Sequence, residues 1–215
     1  NINLRLSYSS GFRAPQAFDE DMHIENVGGT VAMIERAKDL KEEKSQSFSV
    51  SADMYHRFGA FQTNLLIEGF YTRLTDVFVL GKPYDRGDGI LVKTRSNGPG
   101  AKVMGLTLEG KVAYLSILQI QAGLTLQRSR YDEPHKWHDD APAEKKIFRT
   151  PDTYGYFTAT CTPIKPLSIA LSGTYTGRML VQRMDITAEN AELGKMPERK
   201  AEAIRTPRFF DLGVK

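Results

Sequence analysis

Leu118-Gln119-Ile120-Gln121-Ala122-Gly123-Leu124-Thr125-Leu126-Gln127 decides how this chain folds. Its apolar residues, Leu118, Ile120, Ala122, Leu124 and Leu126, alternate with Gln119, Gln121, Gly123, Thr125 and Gln127. Successive side chains of a strand point to opposite faces, so a strict period of two gives one apolar and one polar face. The same alternation recurs elsewhere. Residues 2–9 set Ile2, Leu4, Leu6 and Tyr8 against Asn3, Arg5, Ser7 and Ser9, and residues 47–54 set Phe48, Val50, Ala52 and Met54 against Ser47, Ser49, Ser51 and Asp53. Residues 104–111 and 167–176 repeat it, while 61–78 and 152–161 alternate less cleanly. The pattern predicts an all-β chain of eight strands: 2–9, 45–57, 61–78, 90–111, 115–129, 152–162, 167–178 and 207–215.

The connections add the topology. Short turns are expected near Phe58-Gly59-Ala60, Lys111-Val112-Ala113-Tyr114 and Pro163-Ile164-Lys165-Pro166, where prolines fix φ and withhold donors. The other connections are long: 10–44, 79–89, 130–151 and 179–206. A short helix is expected within 185–203, over Asp185 to Leu193 or Glu198 to Ala203. Long and short connections alternate along the whole chain. An antiparallel up-and-down meander would then carry all short turns at one end and all long loops at the other, as transmembrane barrels do. Four long loops fit a compact water-soluble domain poorly.

Composition narrows the classes. Of 215 residues, 29 are Lys or Arg and 26 are Asp or Glu, a net charge of +3, too even for a nucleic-acid-binding face. With 40% apolar and 26% charged residues, the chain has the material to fold, which excludes wholesale disorder. The single cysteine, Cys161, excludes an intrachain disulfide framework and any multi-cysteine metal site. No apolar run approaches the ~18 residues of a membrane-spanning helix. The mean hydropathy of −0.38 would read as water-soluble, but alternating strands hide a membrane from that average. The polar face, rich in Ser, Thr and Gln, suits a hydrated lumen better than the Lys- and Glu-rich exterior of a soluble sandwich. Phe58, Phe61 and Tyr114 at the short turns, with Tyr8 and Tyr175 toward the long loops, sit where interfacial girdles would.

Several motifs then carry a family resemblance. Leu4-Arg5-Leu6-Ser7-Tyr8-Ser9-Ser10-Gly11-Phe12-Arg13-Ala14-Pro15 resembles a strand-end motif of TonB-dependent outer-membrane receptors. In that family a loop and an Asn-Pro-x-Leu-Lys-Pro-Glu-x-Ser segment follow. Ala37-Lys38-Asp39-Leu40-Lys41-Glu42-Glu43-Lys44-Ser45 stands at that place and keeps Leu40, Lys41, Glu43 and Ser45. It lacks the Asn-Pro pair and has Glu42 where proline is usual. Glu68-Gly69-Phe70-Tyr71 through Asp76-Val77-Phe78, Asn97-Gly98 through Gly105-Leu106-Thr107-Leu108-Glu109, and Thr206-Pro207-Arg208-Phe209-Phe210-Asp211 resemble later family strands, in order. The whole is most similar to receptors of the Bacteroidetes type.

The resemblance implies an open segment of a large, plugged barrel of the 22-stranded class, with long extracellular loops, in the bacterial outer membrane. Residues 1–215 are then expected to form a partial β-barrel domain, with the plug, the TonB-contacting box and the final strands outside them. Both ends of the chain read as strand, and the strands near 2–9 and 207–215 are expected to be unpaired edges. The implied function is binding and import of a scarce, bulky nutrient, a ferric siderophore foremost, with haem and cobalamin as alternatives. The implied partners are the TonB complex, reached through the N-terminal part, the nutrient and outer-membrane lipid, and no nucleic acid. From the residues alone, a soluble β-sandwich binding module and a passive porin also stay open.

No enzyme signature is present: Arg86-Gly87-Asp88-Gly89 lacks the Lys-Ser/Thr of a phosphate loop, and there is no Gly-x-Ser-x-Gly elbow. Asp19 and Asp21 lie in a charged loop. His135, His138, Asp139 and Asp140 could offer ligands to a metal, or simply decorate a polar loop. No catalytic residue, metal site or cofactor is expected. Three residues are candidate ligand contacts. Arg13 ends the first strand, as an anchor near the barrel mouth or as a structural arginine holding loop carbonyls. His23 lies between the two motifs where haem receptors resembling this family place an axial histidine, but within acidic Asp19-Glu20-Asp21-Met22-His23-Ile24-Glu25. Trp137 could stack on a ligand or close its own loop.

Overall fold

We describe a computed structural model of the chain, covering residues 1–15, 32–87, 91–136, 141–186 and 199–215. Among the described residues there are fourteen strands and no helix. They are β1 (Ile2–Arg13), β2 (Ala32–Arg36), β3 (Glu43–Phe58), β4 (Phe61–Thr75), β5 (Phe78–Asp85), β6 (Leu91–Asn97) and β7 (Ala101–Tyr114). The second half holds β8 (Leu118–His135), β9 (Glu144–Lys146), β10 (Thr153–Ile164), β11 (Leu167–Thr176), β12 (Leu180–Ile186), β13 (Arg199–Arg205) and β14 (Phe209–Val214).

The main sheet runs β1-β3-β4-β7-β8-β10-β11-β14, each strand antiparallel to the next and in sequence order. These are the eight strands the alternation predicts. Among the described residues β1 pairs only with β3 and β14 only with β11, so the sheet is open. Three tight turns share one end: Gly59-Ala60, Leu115-Ser116-Ile117 and Lys165-Pro166. Gly59 and Leu115 take positive φ, 57° and 49°, to reverse the chain in so few residues. Pro163, lacking an N–H, falls where the β10–β11 register shifts between Cys161 and Ile164.

The structure corrects four expectations. The segment 90–111 is two strands, not one, because Gly98-Pro99-Gly100 interrupts it. β6 joins a separate sheet, ordered β2-β6-β5, in which β2 and β6 are parallel. The segment 61–78 likewise stops at Thr75, where Asp76 turns the chain with φ of 55°. The second short turn lies at 115–117 instead of 111–114. Residues 199–205, half of the helix expectation, form β13 in a two-stranded sheet with β12, while 187–198 lie outside the described residues. The described parts of the long connections thus form further strands at the end opposite the turns: β2 and β5 join β6, β12 pairs with β13, and β9 pairs with β8 as part of the main sheet.

The main sheet is inverted relative to a soluble protein. Polar residues at its centre are the buried ones, with Asp53 6%, Thr125 6% and Ser129 2% exposed, while Leu4, Leu6 and Val50 are 77%, 83% and 58% exposed. A sandwich would have packed that apolar face on a second sheet. Among the described residues no second sheet packs on it, and the single antiparallel meander is not a sandwich.

Aromatic rings bound the apolar face at both ends. Phe58 stacks on Phe61 at 5.4 Å between centroids, and Phe61 meets Tyr114 at 4.8 Å, beside the turns. Toward the loops Tyr8 meets Phe48 at 4.7 Å. Phe48 and Phe58 are ten residues apart on β3. At ~3.4 Å per residue and a tilt of ~40° that spacing spans ~25 Å, the height of a barrel's lipid-facing band.

Candidate functional site

The polar face is one continuous surface. The register places Arg5, Ser51, Glu68, Thr107 and Thr125 in a row across five strands. The next row contains Asn3, Asp53, Leu66, Glu109, Gly123 and Tyr156. Side-chain hydrogen bonds knit these rows. Ser47 bonds Thr72 at 2.9 Å and Thr107 bonds Thr125 at 3.0 Å, each between directly facing residues.

Two acidic hubs organise the turn-side half of this wall. Asp53 accepts from Tyr55 Oη at 2.9 Å and Asn64 Nδ2 at 2.5 Å, with the Arg5 guanidinium at 3.7 Å. Glu109 accepts from Gln121 Nε2 at 2.8 Å and from Tyr156 Oη at 2.6 Å, and Gln121 Nε2 also lies 2.9 Å from Tyr156 Oη. Tyr156 reaches Glu109 by lying over Gly123, where a Cβ would sit 2.6 Å from the Tyr156 ring. Near the loops the wall offers Ser129, whose buried hydroxyl has no partner among the described residues.

At the loop end the wall meets the small sheets. Glu43 Oε2 accepts the Phe78 N–H at 3.0 Å, and Arg13, paired in register with Glu43, holds its guanidinium 5.5 Å from the Phe78 ring. Asn97 clamps two further segments. Its Oδ1 accepts the Lys41 N–H at 2.8 Å, and its Nδ2 donates to the carbonyls of Lys41 at 3.0 Å and Asp76 at 2.7 Å. A backbone hydrogen bond, and then Lys44 at 3.1 Å, hold the Glu42 carboxyl below its usual range. Tyr84 and Arg86 reach Glu35 at 3.5 and 3.4 Å, tying β5 and the segment after it to β2.

Of the three candidate ligand contacts, Arg13 stands at this mouth, while His23 and Trp137 lie outside the described residues. His135 packs on Tyr131 with ring centroids 5.5 Å apart, and His138, Asp139 and Asp140 lie outside the described residues. Among the described residues no cluster of His, Cys, Asp and Glu could hold a metal ion. The Glu109–Gln121–Tyr156 network and the Asn97 clamp are functional-wall features that the alternation alone does not reveal.

An open, inverted meander with turns at one end and folded loops at the other is the wall of a large barrel. The TonB dependent receptor-like, beta-barrel family matches residues 1–191. The chain belongs to the TonB-dependent receptors. These are outer-membrane transport proteins and not enzymes. The fold is shared with solved structures. The FrpB iron transporter from Neisseria meningitidis (F5-1 variant) is 17% identical, with a TM-score of 0.62 over 99% of this chain and 29% of that one. The F3-3 variant is 15% identical at 0.59, again over 99% and 29%. The copper transporter OprC is 12% identical at 0.57, over 99% of this chain and 28% of its own. The chain therefore spans under a third of these transporters' length. No curated protein matches it in sequence.

Proposed function

We propose that the complete receptor captures a scarce, bulky, metal-bearing nutrient and imports it with energy from TonB, and that the cargo is a ferric siderophore. The observation that carries this reading is the polar wall: Ser, Thr, Gln and Glu side chains face inward and satisfy one another, which leaves a hydrated path for a polar cargo too large for simple diffusion. Iron and copper transporters share its architecture. Residues 1–215 supply wall and loops, as part of one barrel domain whose plug and TonB contact lie elsewhere in the receptor. Arg13, His23 and Trp137 are the proposed cargo contacts. Of these, Arg13 is best supported, by its place at the mouth beside Phe78.

The test is uptake by cells carrying the full-length receptor, supplied with radiolabelled ferric siderophores, haem or cobalamin, with and without a functional TonB. TonB-dependent accumulation of a ferric siderophore, weakened by Arg13→Ala, is the expected result. Uptake of haem or cobalamin instead would replace the cargo. Uptake independent of TonB would indicate a passive porin and overturn the reading.

A further inference from the structure

Beyond the wall the strand order is transposed. β2 leads into β3, β5 follows β4 and β6 leads into β7, and β3, β4 and β7 are neighbours in that order in the main sheet. Continuing each over its own wall strand would give β2-β5-β6, antiparallel throughout. The observed order is β2-β6-β5. The β5–β6 hairpin is thus turned so that β6, and not β5, meets β2. Both run toward the wall, so they form the single parallel pair among the described strands, from Ala32 with Leu91 to Arg36 with Arg95. Both roots of the hairpin allow this turn. Asp76 follows β4 with φ of 55°, and Gly100 enters β7 so close to the wall that a Cβ would lie 2.7 Å from the Leu74 carbonyl oxygen.

The transposition makes β6 the middle strand. Val92 and Arg95 are buried, while Met33 and Tyr84, in register with Val92 on the two outer strands, are exposed. β2 therefore closes one edge of β6, and its own attachments are few. Five residues form the ladder. The Ala37 N–H continues it, donating to the Arg95 carbonyl at 2.8 Å. The Glu35 contacts with Tyr84 and Arg86, at 3.5 and 3.4 Å, are exposed and add little. Below β2 the tie ends at the Asn97 clamp on Lys41. A ladder this short belongs to the low-stability end of a fold, and opens without the wall.

β2 belongs to the connection between β1 and β3, and β5 and β6 belong to the connection between β4 and β7. We infer that β2 is a releasable strap, which makes these two connections open as one cooperative unit. Whatever displaces one connection must then displace the other, so contacts made by either bias the same two-state element. The coupling is built into the strand order and does not depend on which cargo the receptor carries.

The test is hydrogen exchange read by mass spectrometry on the full-length receptor in detergent, with no cargo added. In the unaltered receptor, peptides covering 33–37, 78–80 and 92–97 should show one common dependence on urea, distinct from that of the centre of β7. Glu35→Pro removes an N–H that, two residues before Ala37, also points to β6. It should speed exchange in β5, which pairs only with β6, about tenfold or more, as expected when more than one backbone bond is lost. Glu35→Ala, which keeps the N–H, should have a several-fold smaller effect. Receptors are scored only when they keep the heat-dependent gel shift of a folded barrel, and if Glu35→Pro does not assemble, the urea series on the unaltered receptor decides. Different urea dependences for β2 and the hairpin, unchanged β5 exchange in folded Glu35→Pro, or equal effects of the two substitutions would each overturn the inference.

Discussion

Tyr156 and Glu109 lie on β10 and β7, which are not neighbours, yet Tyr156 Oη is 2.6 Å from Glu109 Oε2. The bond passes over β8 at Gly123, the one residue type whose missing side chain lets a ring cross a strand. Three strands are thereby fastened on the lumenal side, with Gln121 as the third member.

Glu109→Ala should therefore strand the Tyr156 hydroxyl proton, while Gln121 Nε2 keeps Tyr156 Oη as its acceptor at 2.9 Å. Removing one partner leaves the other to bear its desolvation unpaired, so the expected loss is about 1–3 kcal/mol. Glu109→Gln, which keeps an acceptor, should lose less. Urea unfolding of the full receptor in lipid vesicles measures both.

Ile120 and Gln121 are adjacent on β8 but face opposite sides, with Ile120 43% exposed on the apolar face. Ile120→Arg should cost about 2–4 kcal/mol, as expected of a cation at the lipid midplane. Gln121→Arg points toward Glu109 and should be far milder. Comparable assembly yields for the two would count against a lipid-facing Ile120.

Leu115 turns the β7–β8 hairpin with φ of 49°, a left-handed conformation that penalises a Cβ, and its side chain is 57% exposed. Leu115→Gly should stabilise the folded barrel by about 1 kcal/mol, offset in part by glycine's greater freedom when unfolded. A lowered unfolding midpoint would show that the leucine packs on something beyond this chain.

Asn97 makes three hydrogen bonds to the backbone of Lys41 and Asp76. Asn97→Ala should speed hydrogen exchange at the Lys41 amide several-fold, and by about tenfold at most, the effect of one lost hydrogen bond. Amides in the centre of β7 should keep their rates, since the main sheet does not depend on the clamp.

The eight-strand path was legible because lipid and water impose a period of two on every spanning segment, as residues 118–127 display. The pattern failed where that constraint ends. Beyond Thr75 and before Ala101 the chain leaves the wall, and β5 and β6 pair in a sheet whose partner β2 is distant in sequence. Glu198 to Ala203 reads as a short helix, but pairing of Arg199–Arg205 with β12 overrides that local preference. Val112 and Tyr114 keep the outward face of β7, so the strand runs on to Tyr114 and the turn falls at 115–117. The Glu109–Tyr156 bond depends on the register of two hairpins at once.

The alternation of outward and inward residues also matters before the chain folds. A protein destined for the outer membrane is exported through the inner one, where a continuous apolar stretch of about 20 residues would lodge as a helix. In β8 the lipid-facing leucines are diluted by Gln119, Gln121, Thr125 and Gln127, so no stretch of it can be retained there. The spacing that hides these side chains in one bilayer thus gives the unfolded chain free passage through another.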